Sequence, residues 1–419
     1  RREFLKGASC AGVLAFSSCA SELVGRNGDV DSGPSKPDAS LPEIDAAADA
    51  AVDTVPAVHL GVGKGIVPGR VVWSHNPAAT PWAGTAGYWW EEGNTVRTEV
   101  ASMLKGALLG LTNTQTVSSA WDALFRHFNR TKRDTDAGHQ AGESIAIKLN
   151  LNVFRLDRQM QLNDSFPSPY LVHTLLSQLV EAGVPPDMLV LYDASRLVPD
   201  VIFQAVQDDE KLQGVRFVDY LGGEGRERAT RDPDARIHWS QTLIEGNPAF
   251  LPTCVTQSTY HINLATFKGH SLCGVTLCAK NLLGSFCTND LDNPDEPTMH
   301  VPAGAGLHSH IGVLPNGSHA DKLPVYPMDS YAPFVDLIGN EDLGQKTILY
   351  LIDGLYATSK QSGDITPDEK FKTAPFNNHW PSSLFVSQDP VAIDSVGFDF
   401  LRAEPDVYQH SDDPERPNA

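Results

Sequence analysis

Basic residues are scarce: 32 Lys and Arg stand against 52 Asp and Glu, leaving a formal charge of −20. A field of that sign repels nucleic acid and anionic bilayers, so neither is an expected partner. No apolar run reaches the roughly 18 residues that a membrane-spanning helix needs. The six cysteines form no Cys-x-x-Cys pair, which excludes the common zinc and iron–sulfur ligand spacings. Acidic residues never fall into an EF-hand pattern. Gly61-Val62-Gly63-Lys64-Gly65 lacks the Walker spacing and the hydroxyl after its lysine, and Gly269 to Gly274 misses the serine nucleophile elbow by one residue. What is present is 41% apolar residues with only 20% charged, enough for one large core or two moderate ones and too much for wholesale disorder.

The opening residues read as an address. Arg1-Arg2-Glu3-Phe4-Leu5-Lys6 precedes a short apolar stretch of small residues, the pattern of a twin-arginine signal and not of a folded element. Phe16-Ser17-Ser18-Cys19 is similar to a lipobox, in which Cys19 is lipidated. Residues 1–19 are therefore expected to be a signal read by the twin-arginine export machinery. The protein is placed in the periplasm or cell envelope, touching the membrane only through a lipid anchor. That route carries folded proteins and favours a cofactor or a divalent metal, of identity unknown. Residues 20–57 are rich in Ala, Asp, Ser and Pro without apolar periodicity, a solvated linker. A domain is expected over 58–403 and an acidic tail over 404–419.

Within the domain, strand and helix patterns alternate. Ile145 to Leu151, Met188 to Tyr192, Val215 to Tyr220 and Thr347 to Ile352 are short apolar runs that predict strands. Ser168-Pro169 starts a helix that Gly183 stops, Val201 to Leu212 suits a second, and Asp389-Pro390 caps a third through Leu401. This alternation predicts an α/β fold, a mainly parallel sheet with helices on both faces, or two lobes around a cleft. Ligands in such sheets bind beyond the carboxyl ends of the strands, where Asp193 and Asp353 fall.

The most unusual segment runs from His261 through Lys268-Gly269-His270 to Lys280-Asn281 and Ser285. Lysines in apolar surroundings are expensive unless they face a carboxylate or a ligand. Lys268 and Lys280 among glycines suit an anion, and His270 could move a proton near neutral pH. The plainer alternative makes the lysines ordinary salt-bridge partners and His270 a hydrogen-bonded core residue.

At this point the chain resembles the domain of unknown function 362 family, in particular a twin-arginine-exported bacterial branch. The resemblance rests on Ile147-Lys148-Leu149-Asn150, Ile262-Asn263, Lys268-Gly269-His270, Gly274-Val275-Thr276, Lys280-Asn281-Leu282-Leu283-Gly284 and Asp389-Pro390-Val391-Ala392-Ile393-Asp394. Segments similar to the exported branch are Gly69 to His75 and Ile237 to Ser240. The family supplies a fold and a set of site residues but no reaction. By resemblance, Lys148, Asn150, His75, Lys268, His270, Lys280, Asn281 and Asp389 would share one site, although Asp389 is equally well explained as a helix N-cap.

His308 and His310 lie one residue apart between His300 and His319, a spacing that in an extended segment suits two ligands to a divalent metal. Cys254, Cys273, Cys278 and Cys287 allow three disulfide pairings, or act as small buried hydrophobes. The combined expectation is an exported, lipid-anchored enzyme acting on a small anionic molecule. Lys268, Lys280 and Lys148 would hold it, Asn150, Asn281, His75 and Asp389 would line it, and His270 would be the acid–base group. The alternative is a lipid-anchored binding protein for the same anion without catalysis.

Overall fold

A computed structural model describes residues 12–16, 61–151, 158–159, 163–240, 249–270, 274–286, 333–359 and 364–404. The strands are β1 (Gly12–Phe16), β2 (Val71–His75), β3 (Ile145–Leu149), β4 (Leu189–Tyr192), β5 (Arg216–Asp219), β6 (Glu227–Arg228), β7 (Arg231–Arg236), β8 (Phe250–Pro252), β9 (Tyr260–His270), β10 (Gly274–Thr276), β11 (Thr347–Thr358) and β12 (Ser383–Ser387). The helices are α1 (Arg97–Thr112), α2 (Val117–Lys132), α3 (Pro169–Glu181), α4 (Asp200–Gln207), α5 (Thr253–Thr256), α6 (Cys278–Asn281), α7 (Pro333–Gly339) and α8 (Pro390–Arg402).

One sheet runs in the order β1-β2-β12-β11-β9-β3-β4-β5-β6, with β10 paired to β9, and β7 and β8 form a separate ribbon. From β11 through β6 every pairing is parallel, while β12 runs antiparallel to both β11 and β2. The fold is α/β, as the alternation of patterns predicts. The sheet is continuous, so no second lobe appears among the described residues. Residues 12–16 pair with β2 at the sheet edge, although the sequence places them in the signal. A short apolar run meets an open edge there and continues its hydrogen-bond ladder.

Alternation along the central strands divides their side chains between two cores. Ile145, Ile147, Leu149, Ile262 and Leu264 face α1 to α4, packing with Leu104, Trp121, Leu175 and Ile202. Ala146, Val190 and Tyr192 face Leu282 and Leu337, and Phe267, Ile352 and Phe385 pack with Ile393 and Phe400 of α8. Each such side chain contributes about 1.5–3 kcal/mol of burial. α2 begins with a capping box in which Thr116 and Ser119 satisfy each other's backbone N–H groups. Residue by residue, Ser168-Pro169 does open α3 and Asp389-Pro390 does open α8.

One irregularity matters for function. β9 and β11 are in register from Leu264↔Leu351 to Thr266↔Asp353, yet the next pair is Lys268↔Thr358. Two steps along β9 thus oppose five along β11. The extra residues of β11 open the ladder beside Thr266 to Lys268, at the carboxyl edge of the parallel strands.

Candidate functional site

The C-terminal ends of β3, β4 and β9 place Lys148, Asp193, Thr266 and Lys268 along one edge of the sheet. The turn from β10 into α6 lays Lys280 and Asn281 over them. α6 is held in place from far away. Asp394 of α8 accepts the backbone N–H groups of Cys278 and Ala279, both at 2.8 Å, and burial pushes its carboxyl up to about 6. Sequence reasoning passed over this role for Asp394, although the residue closes the Asp389 to Asp394 motif.

Beneath α6 lies a closed polar network. Lys148, fully buried, donates to the Leu149 carbonyl at 2.5 Å, to Asp193 Oδ2 at 3.0 Å and to Asn281 Oδ1 at 3.1 Å. An ammonium has three hydrogens, and all three are used. Asn281 Oδ1 also accepts from Asn150 at 3.1 Å, while its Nδ2 donates to Asn263 Oδ1 at 2.8 Å and to the Leu264 carbonyl at 3.1 Å. Asn150 Oδ1 accepts from Thr266 at 2.5 Å. Asp193 Oδ1 accepts the backbone N–H and the hydroxyl of Ser195, both at 2.9 Å. Lys148, Asn150 and Asn281 do converge, but they spend their hydrogen bonds on one another. Lys148, expected to hold the anion, holds the strand ends instead.

Gly284 roofs this network. A Cβ there would stand 2.7 Å from Lys148 Nζ and 2.9 Å from Asp193 Oδ1. Because Nζ is fixed by three partners, it has nowhere to retreat. Gly284→Ala should therefore destabilise the fold by about 1–3 kcal/mol, read as a lowered urea midpoint with an unchanged m-value.

Lys268 is the opposite case. It is 1% exposed, and its Nζ stands 3.5 Å from the Ser165 carbonyl, at the limit of a hydrogen bond. Burial, reinforced by the neighbouring cations Lys280 and Arg196 and opposed by Asp164 and Asp193, pulls its amine down to about 7. Thr276, directly opposite Lys268 in the β9–β10 pair, has a buried hydroxyl without a hydrogen-bond partner among the described residues. So has Ser168 at the head of α3, whose backbone N–H is taken by Asp353 at 2.6 Å. Burial raises the Asp353 carboxyl to about 6. His270, two residues beyond Lys268 on the same face of β9, is buried as well. Lys280 is only partly buried.

Two expected members lie elsewhere. His75 ends β2, three strands from β9 and so roughly 14 Å away laterally at the usual spacing. It stacks on Trp73 at 5.4 Å and meets Phe376 edge-on, with Nδ1 against the Pro381 carbonyl. Burial lowers its pKa, favouring the uncharged ring within this aromatic cluster. Asp389 sits at the opposite end of the sheet, because antiparallel β12 carries the chain from Ser383, beside Gly354, back to Ser387, beside Tyr350. There it caps α8 through Val391 and Ala392 and accepts the Lys64 N–H. The correction has a simple cause: strand direction, not strand order, decides which end of a sheet a residue reaches.

Cys254 and Cys278 are buried and outside any disulfide, which removes all three complete pairings and fits the reading of small buried residues. Cys19, Cys273, Cys287, His308 and His310 lie outside the described residues. Among the described residues, no group of three or more His, Cys, Asp or Glu could hold a metal ion, and no helix is long and apolar enough to cross a membrane.

Fold and site together define an α/β protein whose sheet ends in a saturated polar network with an under-bonded buried lysine beside it. The family model described as Domain of unknown function (DUF362) matches residues 145–399, more than half of the chain, and the protein belongs to that family. No curated protein matches the chain.

Proposed function

We propose that this protein is an exported, lipid-anchored enzyme of the cell envelope, from a twin-arginine-exported branch of its family, that acts on a small anionic molecule. The observation that carries the reading is the environment of Lys268: a buried amine among Lys280 and Arg196, with the unpaired hydroxyl of Thr276 opposite it. Lys280 and Arg196 act on this amine against Asp164 and Asp193, and the pair of cations favours a negative ligand, while a buried hydroxyl without a partner among the described residues favours a ligand oxygen. An anion would raise the Lys268 pKa by supplying the missing opposite charge. His270 then serves as the acid–base group, and the Lys148 network fixes the edge on which the ligand rests. The N-terminal residues support the export route, with Cys19 as the lipidated position.

Binding of inorganic phosphate, sulfate or pyruvate, followed by titration calorimetry, tests this reading. Proton uptake should accompany binding at pH 8, and affinity should fall by up to about tenfold per pH unit above pH 7. Lys280→Ala should weaken binding at least about tenfold, the loss of one charge-assisted contact, without lowering the melting temperature. Equal affinity in wild type and Lys280→Ala would defeat the anion site.

A further inference from the structure

Two buried lysines lie on neighbouring strands and are treated in opposite ways. Lys148 has an acid partner and three acceptors, whereas Lys268 has a carbonyl at 3.5 Å and cations close by. Asp164 and Asp193 offset only part of the cost of burying the Lys268 ammonium, so this lysine persists in part as a neutral amine with an available lone pair. A desolvated lysine beside a second cation is the arrangement that makes an amine nucleophilic.

We propose that Lys268 is a Schiff-base nucleophile for a small oxo acid, its amine condensing with the substrate carbonyl while Lys280 and Arg196 hold the carboxylate. This rests on the anion reading above and adds the substrate class. In the first step the Nζ lone pair forms a bond to the carbonyl carbon, and the carbonyl oxygen takes up the proton that nitrogen loses. In the second, protonated His270 gives its proton to the carbinolamine hydroxyl, which leaves as water, and the nitrogen lone pair closes the C=N bond of a protonated imine that keeps the remaining N–H. No oxidant or reductant is consumed. Thr276, opposite Lys268, is placed to donate a hydrogen bond to the carbonyl oxygen. The amine is already neutral in part at pH 7, supporting a role that the fully engaged Lys148 could not fill.

The test is reductive trapping. The protein is incubated with pyruvate or 2-oxoglutarate, sodium borohydride is added, and intact mass and peptide mapping locate any adduct. One adduct per chain on the peptide containing Lys268, suppressed by excess sulfate and lost in Lys268→Met, supports the assignment. Adducts spread over surface lysines and unchanged in Lys268→Met overturn it. Calorimetric binding of pyruvate without an adduct overturns the Schiff base and leaves the anion site standing. Absence of both overturns the two together. Should Lys268→Met fail to fold, the wild-type peptide map decides alone.

Discussion

Lys148→Met is expected to destabilise the fold by about 3–5 kcal/mol, measured by urea unfolding at pH 7, because it breaks a buried ion pair and strands one partner. The substitution fills nearly the same volume, so lost packing is a small part of the effect. What remains is Asp193, 2% exposed, without its ammonium. Its Oδ1 keeps the two Ser195 contacts, but among the described residues Oδ2 is left with the Leu151 N–H at 3.3 Å. Asn281 Oδ1 loses one of two donors at the same time. The double variant Lys148→Met with Asp193→Leu should recover a large part of the loss, since an apolar pair of similar volume removes both desolvation penalties. Equal losses in the single and double variants would show that the pair is not the cause.

Lys268→Met should act in the other direction and raise stability at pH 7 by about 4 kcal/mol. The native amine has a pKa of about 7 against an ordinary lysine value of 10.5. Below pH 7 both states are protonated, and the native state bears the full penalty of burying the charge. Between about pH 7 and 10.5 the unfolded chain binds the extra proton, so stability rises with pH, and above 10.5 the penalty is gone. From pH 7 to pH 9 this group should add about 2 kcal/mol of stability to the wild type that Lys268→Met does not gain. Urea unfolding of both proteins at the two pH values reads that difference. A variant less stable than wild type at pH 7 would mean that Lys268 is a paired structural residue. Opposite signs for two lysines on adjacent strands would separate the residue that builds the site from the one that works in it.

Part of the sheet was legible because apolar runs bounded by turn residues have few other uses, whereas β2, β9 and β12 were not among the predicted strands. Ile145 to Leu149, Leu189 to Tyr192 and Arg216 to Asp219 fall within a residue or two of where hydropathy puts them. α2 is marked by Trp121, Leu124, Phe125 and Phe128 at helical spacing, yet only the bare face of the sheet shows why a cover is needed there. α1 carries Gly106 and Gly110, which lower helix propensity, and tertiary burial overrides them. The site was harder. Lys148, Asn150 and Asn281 could be grouped through the family resemblance, but a sequence does not say whether a lysine faces a ligand or a carboxylate 45 positions away. Asp389 was misplaced for want of strand direction, and His75 for want of strand order, which sets β2 three strands from β9. Asp193, Arg196, Thr266 and Asp394 gain their roles from partners elsewhere in the fold; Asp193 had a signal at the end of a predicted strand, and Asp394 had one in the motif that it closes.

The hold that Asp394 keeps on Cys278 and Ala279 spans more than a hundred residues. Synthesis runs from the N-terminus, so the Lys280 turn stays uncapped until the last helix has left the ribosome and docked. A chain interrupted before that helix can pair its early parallel strands and still lack the tether on the Lys280 turn. Ordering of that turn is thereby tied to the arrival of α8, and copies truncated ahead of it would lack this tether.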